Sequence, residues 1–430
     1  MSWNFNNYYK NKSGGLISKL KLSSEERKAL ILLRQKVRER IRDVFEEAKK
    51  IAKDVKSQHL TLEAIQLEVN KTKMMYLSDK DKYHVSTLIH NMDDDALNDF
   101  IALQPRFWTQ GSFKYDTLNH PFHPGQEMDI DDGTYLPMTV FESKPRLGYE
   151  LLLLLVDTSL QSLVAENQGW KFEEKRTCAR IKIIDKKTHI DVPMYAIPKD
   201  KFQEKQTAAD SAHMLKAASM ESYSINESYL EAFQLEPENV NLALREQKKR
   251  WQISDPKIVE DWFNDSCQRI DNLKLICRFM KAWRDYQWDI GGPTSISLMA
   301  AIVNILDKNP QHNNDLSSTM KLVAKQLPAE FRNGLKSPDD TDEKLLFPHE
   351  HDHNAREIDI LKKMEELSEI LSEAENTDTK ELALKKINTA FGNRVTDELL
   401  IISYQAAPAF KDEPISSDKP VRINKTMVSG

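Results

Sequence analysis

Apolar positions that recur at helical spacing predict a long helix near the start of the chain. Ser23 and Glu26 form a capping-box signature, and apolar residues then repeat every three or four positions over residues 30–51. This pattern predicts one helix over residues 25–55, which we expect to pack on a sheet. The same spacing predicts further helices over residues 61–75, 96–103, 149–164, 358–373 and 380–391.

Alternating apolar and polar positions predict strands in the middle of the chain. Residues 177–184 and 188–198 alternate in this way and are separated by a short turn at residues 185–187, so they predict a hairpin. On its second strand His189 and Asp191 share the polar face. Within the stretch over residues 109–136, a glycine-serine loop comes first and Asp129 and Asp131 then follow on another expected strand.

Asp129 and Asp131 on that strand are the first candidates for chemistry, because alternate side chains leave a strand on the same face. Two adjacent carboxylates suit Mg²⁺, which prefers oxygen ligands, and paired ions clamp the attacking and leaving oxygens in phosphoryl transfer. Upstream, the backbone N–H of Gly111 can approach a phosphate closely, and the Ser112 hydroxyl can donate to the same group. The sequence therefore indicates a site for phosphate and metal.

Two alternatives for this aspartate pair are weighed against the rest of the chain. A calcium loop of the EF-hand type is excluded, because Thr134 and Val140 stand where that loop needs Gly and Glu. A lone pair of this kind is more often a solvated turn, so a metal site requires a third carboxylate on a neighbouring strand. Asp191 is the candidate, and three aspartates behind a glycine-serine loop are typical of the polymerase-β-like nucleotidyltransferases.

Composition narrows the class of protein. A chain of 430 residues is long enough for two domains with sizeable cores. Charged residues make up 30% and the net charge is −6, so a basic surface for long nucleic acid is not expected. The three cysteines form no CxxC motif, which fits a reducing cytoplasm. The N-terminus has no signal-peptide pattern and the longest apolar run, residues 151–156, is too short to span a membrane, so we expect no membrane insertion.

Four longer stretches carry a more specific resemblance. They are QGSFKYDTLNHPFHPGQEMDIDDGTYLPM, RIKIIDKKTHIDVPMYAIPKD, DPKIVEDWFNDSC and FMKAWRDYQWDIGGPTSISLM. These stretches resemble the cGAS/DncV-like nucleotidyltransferases, the signal generators of a bacterial anti-phage defence system (CBASS). The resemblance runs nearly end to end and is weakest over residues 200–245 and 305–316.

The resemblance implies an α+β fold with a polymerase-β-like nucleotidyltransferase core. The core is expected to contain a mixed sheet and the long N-terminal helix, and a C-terminal helical domain is expected to face it across an active-site cleft. We place the core with its N-terminal helices and a connecting region at residues 1–245, a helical nucleotide-binding domain at residues 246–406 and a flexible tail at residues 407–430.

The resemblance also implies a cyclic dinucleotide synthase that joins ATP and GTP into 3′,3′-cyclic GMP-AMP and releases pyrophosphate. Asp129, Asp131 and Asp191 would be catalytic and would hold two Mg²⁺ ions, for which Mn²⁺ can substitute. Two other functions stay open. A template-free RNA or tRNA nucleotidyltransferase uses the same aspartates. It would need a basic extension to bind RNA, and this acidic chain does not show one. A catalytically silent nucleotide sensor is the second.

The resemblance further assigns nucleotide contacts to Gln110, Gly111, Ser112, Tyr115, Arg180, Ser254, Lys281, Ser295 and Asp342. The residues alone leave structural alternatives open for several of them. Arg180 could form an ion pair between strands, and Ser254 could cap the helix that Pro256 begins. Lys281 could be a surface lysine whose stem lies on apolar residues, and Asp342 could be an ordinary loop acid.

An arginine stripe on the long helix is a candidate regulatory site. The stripe and a second basic-aromatic segment before the glycine-serine loop comprise Arg34, Arg38, Arg42, Arg106, Phe107 and Trp108. If the two fold together, their cations and flat rings could hold an anionic, ring-containing regulator such as a folate-like small molecule. The alternative is a solvated or salt-bridged helix face.

Two features near the end of the chain have separate interpretations. His349, His351 and His353 invite a zinc assignment, but they lack the framework of known zinc sites. The tail rich in Pro, Ser and Lys ends on Gly430, and related defence systems conjugate the synthase through such a glycine with an E1/E2-like partner. Plain disorder is the alternative for the tail.

Overall fold

The structure, a computed structural model, describes residues 2–137, 145–197, 240–246, 250–310, 315–339, 345–348 and 354–404. Three predictions fall outside these residues: the nucleotide contact at Asp342, the histidine run at residues 349–353 and the conjugation site at Gly430. The predicted tail and most of the predicted connecting region also lie outside them.

Strands within the described residues are β1 (Trp3–Asn4), β2 (Arg106–Gln110), β3 (Met128–Pro137), β4 (Trp170–Glu174), β5 (Cys178–Ile183), β6 (Thr188–Ile197), β7 (Asn241–Ala243), β8 (Trp251–Ile253) and β9 (Ile402–Ser403). Helices in the first half of the chain are α1 (Asn6–Lys10), α2 (Leu16–Leu20), α3 (Ser24–Gln58), α4 (Leu62–Val69), α5 (Asp79–His90), α6 (Asp94–Ala102), α7 (Gly111–Lys114) and α8 (Pro145–Glu166). Helices in the second half are α9 (Pro256–Arg269), α10 (Leu273–Gln287), α11 (Ser295–Lys308), α12 (Leu316–Arg332), α13 (Ala355–Glu375) and α14 (Lys380–Phe391).

A mixed sheet organises the first half of the molecule. Its main order is β2-β3-β6-β5-β4, with β7 paired to β6 and β8 paired to β7. Strands β3 and β6 are parallel, and the other neighbouring pairs are antiparallel. The predicted hairpin is confirmed as β5 and β6. Strands β7 and β8 were not predicted, because runs of three residues are too short to show an alternating pattern.

The long helix α3 covers one face of this sheet. It starts behind the predicted capping box, in which the Ser23 hydroxyl accepts from the Glu26 N–H and the Glu26 carboxylate accepts from the Ser23 N–H. It ends at Gln58, where His59 adopts a left-handed conformation. Its apolar side shares one core with α8 and the sheet. The predicted helix is therefore confirmed, with one more residue at its start and three more at its end.

Among the short helices before the sheet, one prediction was wrong and one helix was missed. The helix predicted over residues 61–75 is α4 followed by a separate 3₁₀ turn, Lys73–Tyr76, which begins where the Thr72 hydroxyl accepts from the Met74 N–H. Helix α5 was missed because its first turn, DKDK, is entirely polar and hides the apolar positions that follow.

Helices α9 to α14 form a second hydrophobic core, so the α+β architecture is as predicted. Two parts of the chain pack with the other domain than the predicted domain limits imply. The first segment of the chain, including α1 and α2, packs in this second core rather than on the sheet, and β1 pairs with β9. Strand β8 lies beyond the predicted boundary between residues 245 and 246 but belongs to the sheet.

One stretch of α8, Gly148–Glu166, is long and apolar enough by composition to cross a membrane. Leu151, Leu155 and Leu163 are fully buried in the core that α8 shares with α3 and the sheet. The apolar character of α8 is thus explained by its position between a helix and a sheet.

Candidate active site

The three predicted aspartates come together on one face of the sheet. Strands β3 and β6 run side by side in parallel, and their register places Asp131 opposite Asp191 and Asp129 opposite His189. Alternate residues of a strand point to the same side, so all three carboxylates leave the face opposite to α3. The neighbouring strands therefore supply the third carboxylate that the aspartate pair requires.

The carboxylates strongly affect one another. Burial raises the pKa of Asp131 well above its usual value, and the negative charges of Asp129 and Asp191 raise it further. A divalent cation would relieve this repulsion. Oxygen atoms from Asp129 and Asp191 and a ring nitrogen of His189 lie within 4.8 Å of one another, so the donor set fits a metal ion.

Arg180 on β5 holds the third aspartate directly. Its Nε donates to Asp191 Oδ1 over 2.6 Å and its Nη2 donates to Oδ2 over 2.7 Å. These bonds raise the pKa of the guanidinium, and Asp191 itself is only 8% exposed. The ion pair between strands, one of the two alternatives for Arg180, is therefore present in the structure.

His189 is a member of this cluster that the sequence analysis did not assign. Its Nδ1 lies 3.0 Å from Glu127 Oε2, and its Nε2 lies 2.9 Å from Asp129 Oδ1. Burial lowers the pKa of His189, but the Asp129 carboxylate outweighs burial, and the net shift is upward. The signal was visible in the sequence, because His189 shares the polar face of its strand with Asp191.

The glycine-serine loop approaches the aspartates closely. Strand β2 ends at Gln110 and turns directly into α7, with Gly111 at a φ of +65°. A Cβ at this position would lie 2.2 Å from Asp131 Oδ2, so only glycine fits. Gly111 and Ser112 line a cavity of about 410 Å³ together with Asp129 and Asp131. Asp191 lies next to Asp131 but does not itself line this cavity.

Helix α10 and the start of α11 form the opposite wall of the cavity, which carries Lys281 and Arg284 beside Asp285 and Asp289, and Arg284 is paired with Asp285. Lys281 is 4% exposed, and its Nζ donates to the Thr117 carbonyl over 2.8 Å. Burial, together with the nearby charge of Arg284, lowers the pKa of Lys281 to about 8. The surface-lysine interpretation of Lys281 was therefore wrong. Ser295 also lines the cavity and accepts a hydrogen bond from Arg284. Arg284 is a further lining residue, which was not predicted from the sequence.

Gln110 and Tyr115 do not line the cavity. The Gln110 side chain is buried between two tyrosines, donating to the Tyr135 hydroxyl and accepting from the Tyr195 hydroxyl. Tyr115 packs on Phe263 of α9. Both side chains make contacts within the protein in this structure, on either side of the glycine-serine loop in the sequence. Their predicted contacts with nucleotide stay predictions.

Ser254 also lies away from the cavity wall, and its predicted capping role was wrong. The cap of α9 is Asp255, whose side chain accepts from the Lys257 N–H. The Ser254 N–H donates instead to the Val240 carbonyl, which continues the pairing of β7 and β8. Asp255 and Pro256 together start the helix, so the prediction missed the cap by one residue.

The arginine stripe of α3 lies against β2, on the sheet face opposite to the cavity. The guanidinium carbons of Arg38 and Arg42 lie 5.6 and 4.8 Å from the centre of the Phe107 ring. Arg34 and Arg38 donate to Thr109, and Arg38 also holds Asp132 through two hydrogen bonds.

Trp108 does not join this group. Alternate residues on β2 point to opposite faces of the sheet, and the Trp108 indole N–H donates to Glu260 of α9 on the cavity side. The side chain of Arg106 keeps a buried Nε that has no hydrogen-bond partner among the described residues. Of the residues predicted for the regulatory site, Arg38 and Arg42 lie on the Phe107 ring, the charge of Arg106 acts on Arg42, and Trp108 lies on the other face of the sheet.

Comparisons with known proteins agree with this geometry. The DncV-like nucleotidyltransferase domain of cyclic GMP-AMP synthase matches residues 105–195, and the C-terminal domain of cyclic GMP-AMP synthase matches residues 271–404. A cyclic GMP-AMP synthase from Escherichia coli is 64% identical over 432 residues, and one from Vibrio cholerae is 60% identical over 435 residues. Both alignments cover 100% of this chain and 100% of the relative.

Solved structures give the same result. Vibrio cholerae DncV cyclic AMP-GMP synthase in complex with the linear intermediate 5′ pppA(3′,5′)pG is 59% identical, with a TM-score of 0.86. A variant of the Vibrio cholerae di-nucleotide cyclase (DncV) in complex with ATP, GTP and 5MTHFGLU2 is also 59% identical, with a TM-score of 0.87. Each match covers 94% of this chain and 100% of the other. From its full-length identity, its matched domains and its aspartate cluster, the chain belongs to the DncV-like cyclic GMP-AMP synthases.

Proposed function

We propose that this protein joins ATP and GTP into 3′,3′-cyclic GMP-AMP with release of pyrophosphate. The observation that carries the proposal is one cavity that is lined by Asp129 and Asp131 on the sheet and by Lys281 and Arg284 on α10. Such a cavity suits a nucleoside triphosphate with bound divalent cations, and the full-length relatives are cyclic GMP-AMP synthases.

Each wall has its own task in this mechanism. Asp129, Asp131 and Asp191 would hold Mg²⁺, which supplies charge neutralisation at the reacting phosphate when it is bound. The Gly111 N–H and the Ser112 hydroxyl bind the donor phosphates at the carboxylate end. The cavity thereby orients the α-phosphate of one nucleotide toward the 3′-hydroxyl of the other, and positioning supplies much of the rate acceleration.

The cationic wall binds the part of the donor that leaves as pyrophosphate. Lys281 and Arg284 lie one helical turn apart on α10, and Arg284 reaches Ser295 at the start of α11. Their charges compensate the triphosphate, and the Ser295 hydroxyl can exchange its Arg284 contact for a phosphate oxygen. The linear intermediate then turns over in the same cavity and closes in a second transfer.

Product analysis tests the proposal directly. Purified protein is incubated with ATP, GTP and Mg²⁺, and the products are identified by mass spectrometry. A cyclic dinucleotide of one AMP and one GMP is expected. The double variant Asp129→Ala with Asp131→Ala should abolish it, while the exposed turn variant Asp185→Ala serves as the matched control. A ladder of oligonucleotides would indicate a template-free polymerase, and no turnover under any condition would indicate a nucleotide sensor.

We further propose that a folate-like anion regulates the enzyme at the arginine stripe. Phe107 offers a flat ring, Arg42 offers positive charge beside it, the charge of Arg106 acts on Arg42, and the Vibrio cholerae structure contains 5MTHFGLU2. Arg38 binds Asp132, the residue directly after Asp131, so a ligand on the stripe contacts the catalytic strand through one side chain. Arg42→Glu should abolish the response to 5-methyltetrahydrofolate diglutamate and leave basal synthesis unchanged. A retained response would remove this site from consideration.

We infer the cellular location and role of the protein from its family. We place the protein in the cytoplasm, as a second-messenger generator in anti-phage defence, with Gly430 available to an E1/E2-like conjugating partner. Mass analysis of protein isolated from cells that carry the neighbouring defence genes should reveal an adduct on Gly430. Its absence from those cells, with synthase activity intact, would remove the conjugation proposal alone.

A further inference from the structure

We propose that Gln126 is a positioning residue, whose side-chain amide fixes the sheet wall of the cavity relative to the helical wall on α10. It belongs to the loop over residues 116–127, which joins α7 to β3, and it lines the cavity together with Asp129 and Arg284. The inference rests on the proposed function, because it concerns how a site for a nucleoside triphosphate is held together. It is tested by the binding of a single nucleotide and does not depend on turnover.

The Gln126 amide uses all of its hydrogen-bonding positions within the protein. Its Oε1 accepts from the N–H groups of Phe122 and His123 over 2.9 and 3.0 Å. Its Nε2 donates to the carbonyls of Asp285 and Trp288 over 2.8 and 3.0 Å. A glutamine amide offers two acceptor positions and two donors, so this side chain keeps none for a substrate. Its place on the cavity wall is therefore explained by what it holds together.

The two halves of the amide have different partners. The acceptor half closes a turn in its own loop, whereas the donor half reaches the C-terminal end of α10. The last carbonyls of a helix have no partner within the helix, so Gln126 caps α10 from a distant part of the chain. His123 caps the same end, because its Nε2 lies 2.9 Å from the Tyr286 carbonyl. Two loop side chains thus satisfy the end of the helix that carries the cations.

Gln126 is closely connected to the reacting parts of both walls. On the sheet side, β3 begins at Met128, two residues later, and Asp129 follows directly. Strand β3 is paired with β2 on one side and with β6 on the other, which fixes this end of the connection. On the helix side, Asp285 directly follows Arg284. One side chain therefore spans the distance between the aspartates and the cations.

The bond to Asp285 is a second point of attachment for α10. The first part of the same loop already holds the helix at Arg278 and Lys281. Arg278 and Asp285 are about 10 Å apart along the helix axis, at 1.5 Å per residue. A single attachment would leave the helix free to tilt, whereas two attachments set its angle to the sheet. Loss of the Gln126 donors should therefore displace Arg284 while the first attachment persists.

The test measures binding of α,β-methylene-ATP with Mg²⁺ by isothermal titration calorimetry, because the methylene bridge of this analogue prevents release of pyrophosphate. Gln126→Met is uncharged and of similar length, and it removes both halves of the amide. Gln126→Glu keeps the acceptor atoms and removes the donors. Both variants should weaken binding about tenfold, the effect expected when hydrogen bonds that hold one wall are lost.

Each variant excludes one alternative explanation of a loss of affinity. Weaker binding in Gln126→Glu alone would mean that the new charge repels the triphosphate. Weaker binding in Gln126→Met alone would mean that the acceptor half folds the loop and that the bridge to α10 is irrelevant. Either result overturns the proposal, as does unchanged binding in both variants.

Gln287 provides the matched control on the same helix. It is the last residue of α10, and its Nε2 also donates to two carbonyls, those of Thr389 and Ala390, over 3.2 and 3.3 Å. These carbonyls belong to α14, so this amide holds α10 within the helical half and not to the sheet. Gln287→Met and Gln287→Glu should therefore bind the analogue like the natural protein.

Hydrogen exchange of the nucleotide-free protein provides a readout that needs neither binding nor catalysis. The backbone amides over residues 284–292 should exchange faster in both Gln126 variants than in the natural protein, because the end of α10 loses its cap. Unchanged exchange would overturn the proposal. The synthesis of cyclic GMP-AMP is assayed separately by product analysis, so failure of this inference does not count against the proposed function.

Discussion

The two walls of the cavity are built in different ways. On the sheet wall, the aspartates stand on adjacent strands, and the backbone ladder between β3 and β6 sets their spacing. On the helical wall, the cations depend on side-chain bonds to the loop over residues 116–127, which joins α7 to β3. The side with the aspartates is therefore held by secondary structure, whereas the side with Lys281 is held by tertiary contacts.

Arg278 shows how the helical wall is attached. It is 2% exposed, and its guanidinium donates to the carbonyls of Asp116 and Leu118 and to the side chains of Asp116 and Asn119. One turn later on α10, Lys281 donates to the Thr117 carbonyl. The loop after the glycine-serine turn is therefore tied to the helix that carries the phosphate-binding cations.

The largest effect on activity should come from adding a side-chain atom between the glycine-serine loop and Asp131 of the sheet. In Gly111→Ala, the new Cβ would lie 2.2 Å from Asp131 Oδ2 and the φ of +65° would be strained. A misplacement of about 1 Å at a reacting centre costs about 10²-fold in rate, so kcat should fall by at least that factor. Steady-state kinetics with ATP, GTP and Mg²⁺ provides the measurement.

Gly169→Ala is the matched control for this variant. Gly169 has a similar positive φ of +84°, but a Cβ there meets no atom within 4 Å. It should lose some stability and keep its kcat. Equal losses of kcat in the two variants would mean that backbone strain, rather than contact with Asp131, explains the effect.

A smaller effect should follow from loosening the helical wall at Arg278. Arg278→Met leaves two loop carbonyls and Asn119 without their donor, so the free energy of unfolding should fall by about 3 kcal/mol. Because the loop no longer holds Lys281 in place, KM for the nucleotides should rise about tenfold, with a smaller change in kcat. Urea denaturation and steady-state kinetics measure the two quantities.

The control for Arg278 is Arg332→Met, which removes an exposed arginine paired with Glu365 on the surface. Exposed ion pairs contribute about 0–1 kcal/mol, so its stability and KM should barely change. If Arg278→Met lowered kcat and left KM unchanged, the loop would serve the aspartates of the sheet rather than the cations of α10. The proposed difference between the two walls would then be wrong.

The smallest effect concerns the charge of Lys281. Burial lowers its pKa to about 8, so the fraction of charged ammonium falls as the pH rises through that value. Charge on this side chain favours triphosphate binding, and KM should therefore rise between about pH 7 and pH 9. In Lys281→Arg the guanidinium stays charged, and this part of the pH dependence should disappear. A profile that is identical in both proteins would contradict the assignment.

Strong local patterns predicted several elements correctly. The capping box and the apolar spacing predicted α3 almost to the residue, and alternation predicted β5, β6 and the strand of the aspartate pair. Prediction from local patterns failed where the signal was short or polar, as in β7, β8 and α5. It also placed the cap of α9 at Ser254 rather than Asp255, since both residue types cap helices well.

Local patterns in the chain are enough to predict the types of its elements, its three aspartates and the family whose chemistry they share, because periodicity and motif spacing are local properties. The parallel pairing of β3 and β6, which places His189 beside Asp129 and Asp131 beside Asp191, is visible in the folded chain alone. The folded chain also shows that Lys281 is buried and that Trp108 faces away from Phe107. Register and burial arise from contacts between residues far apart in the chain, and no local pattern encodes them.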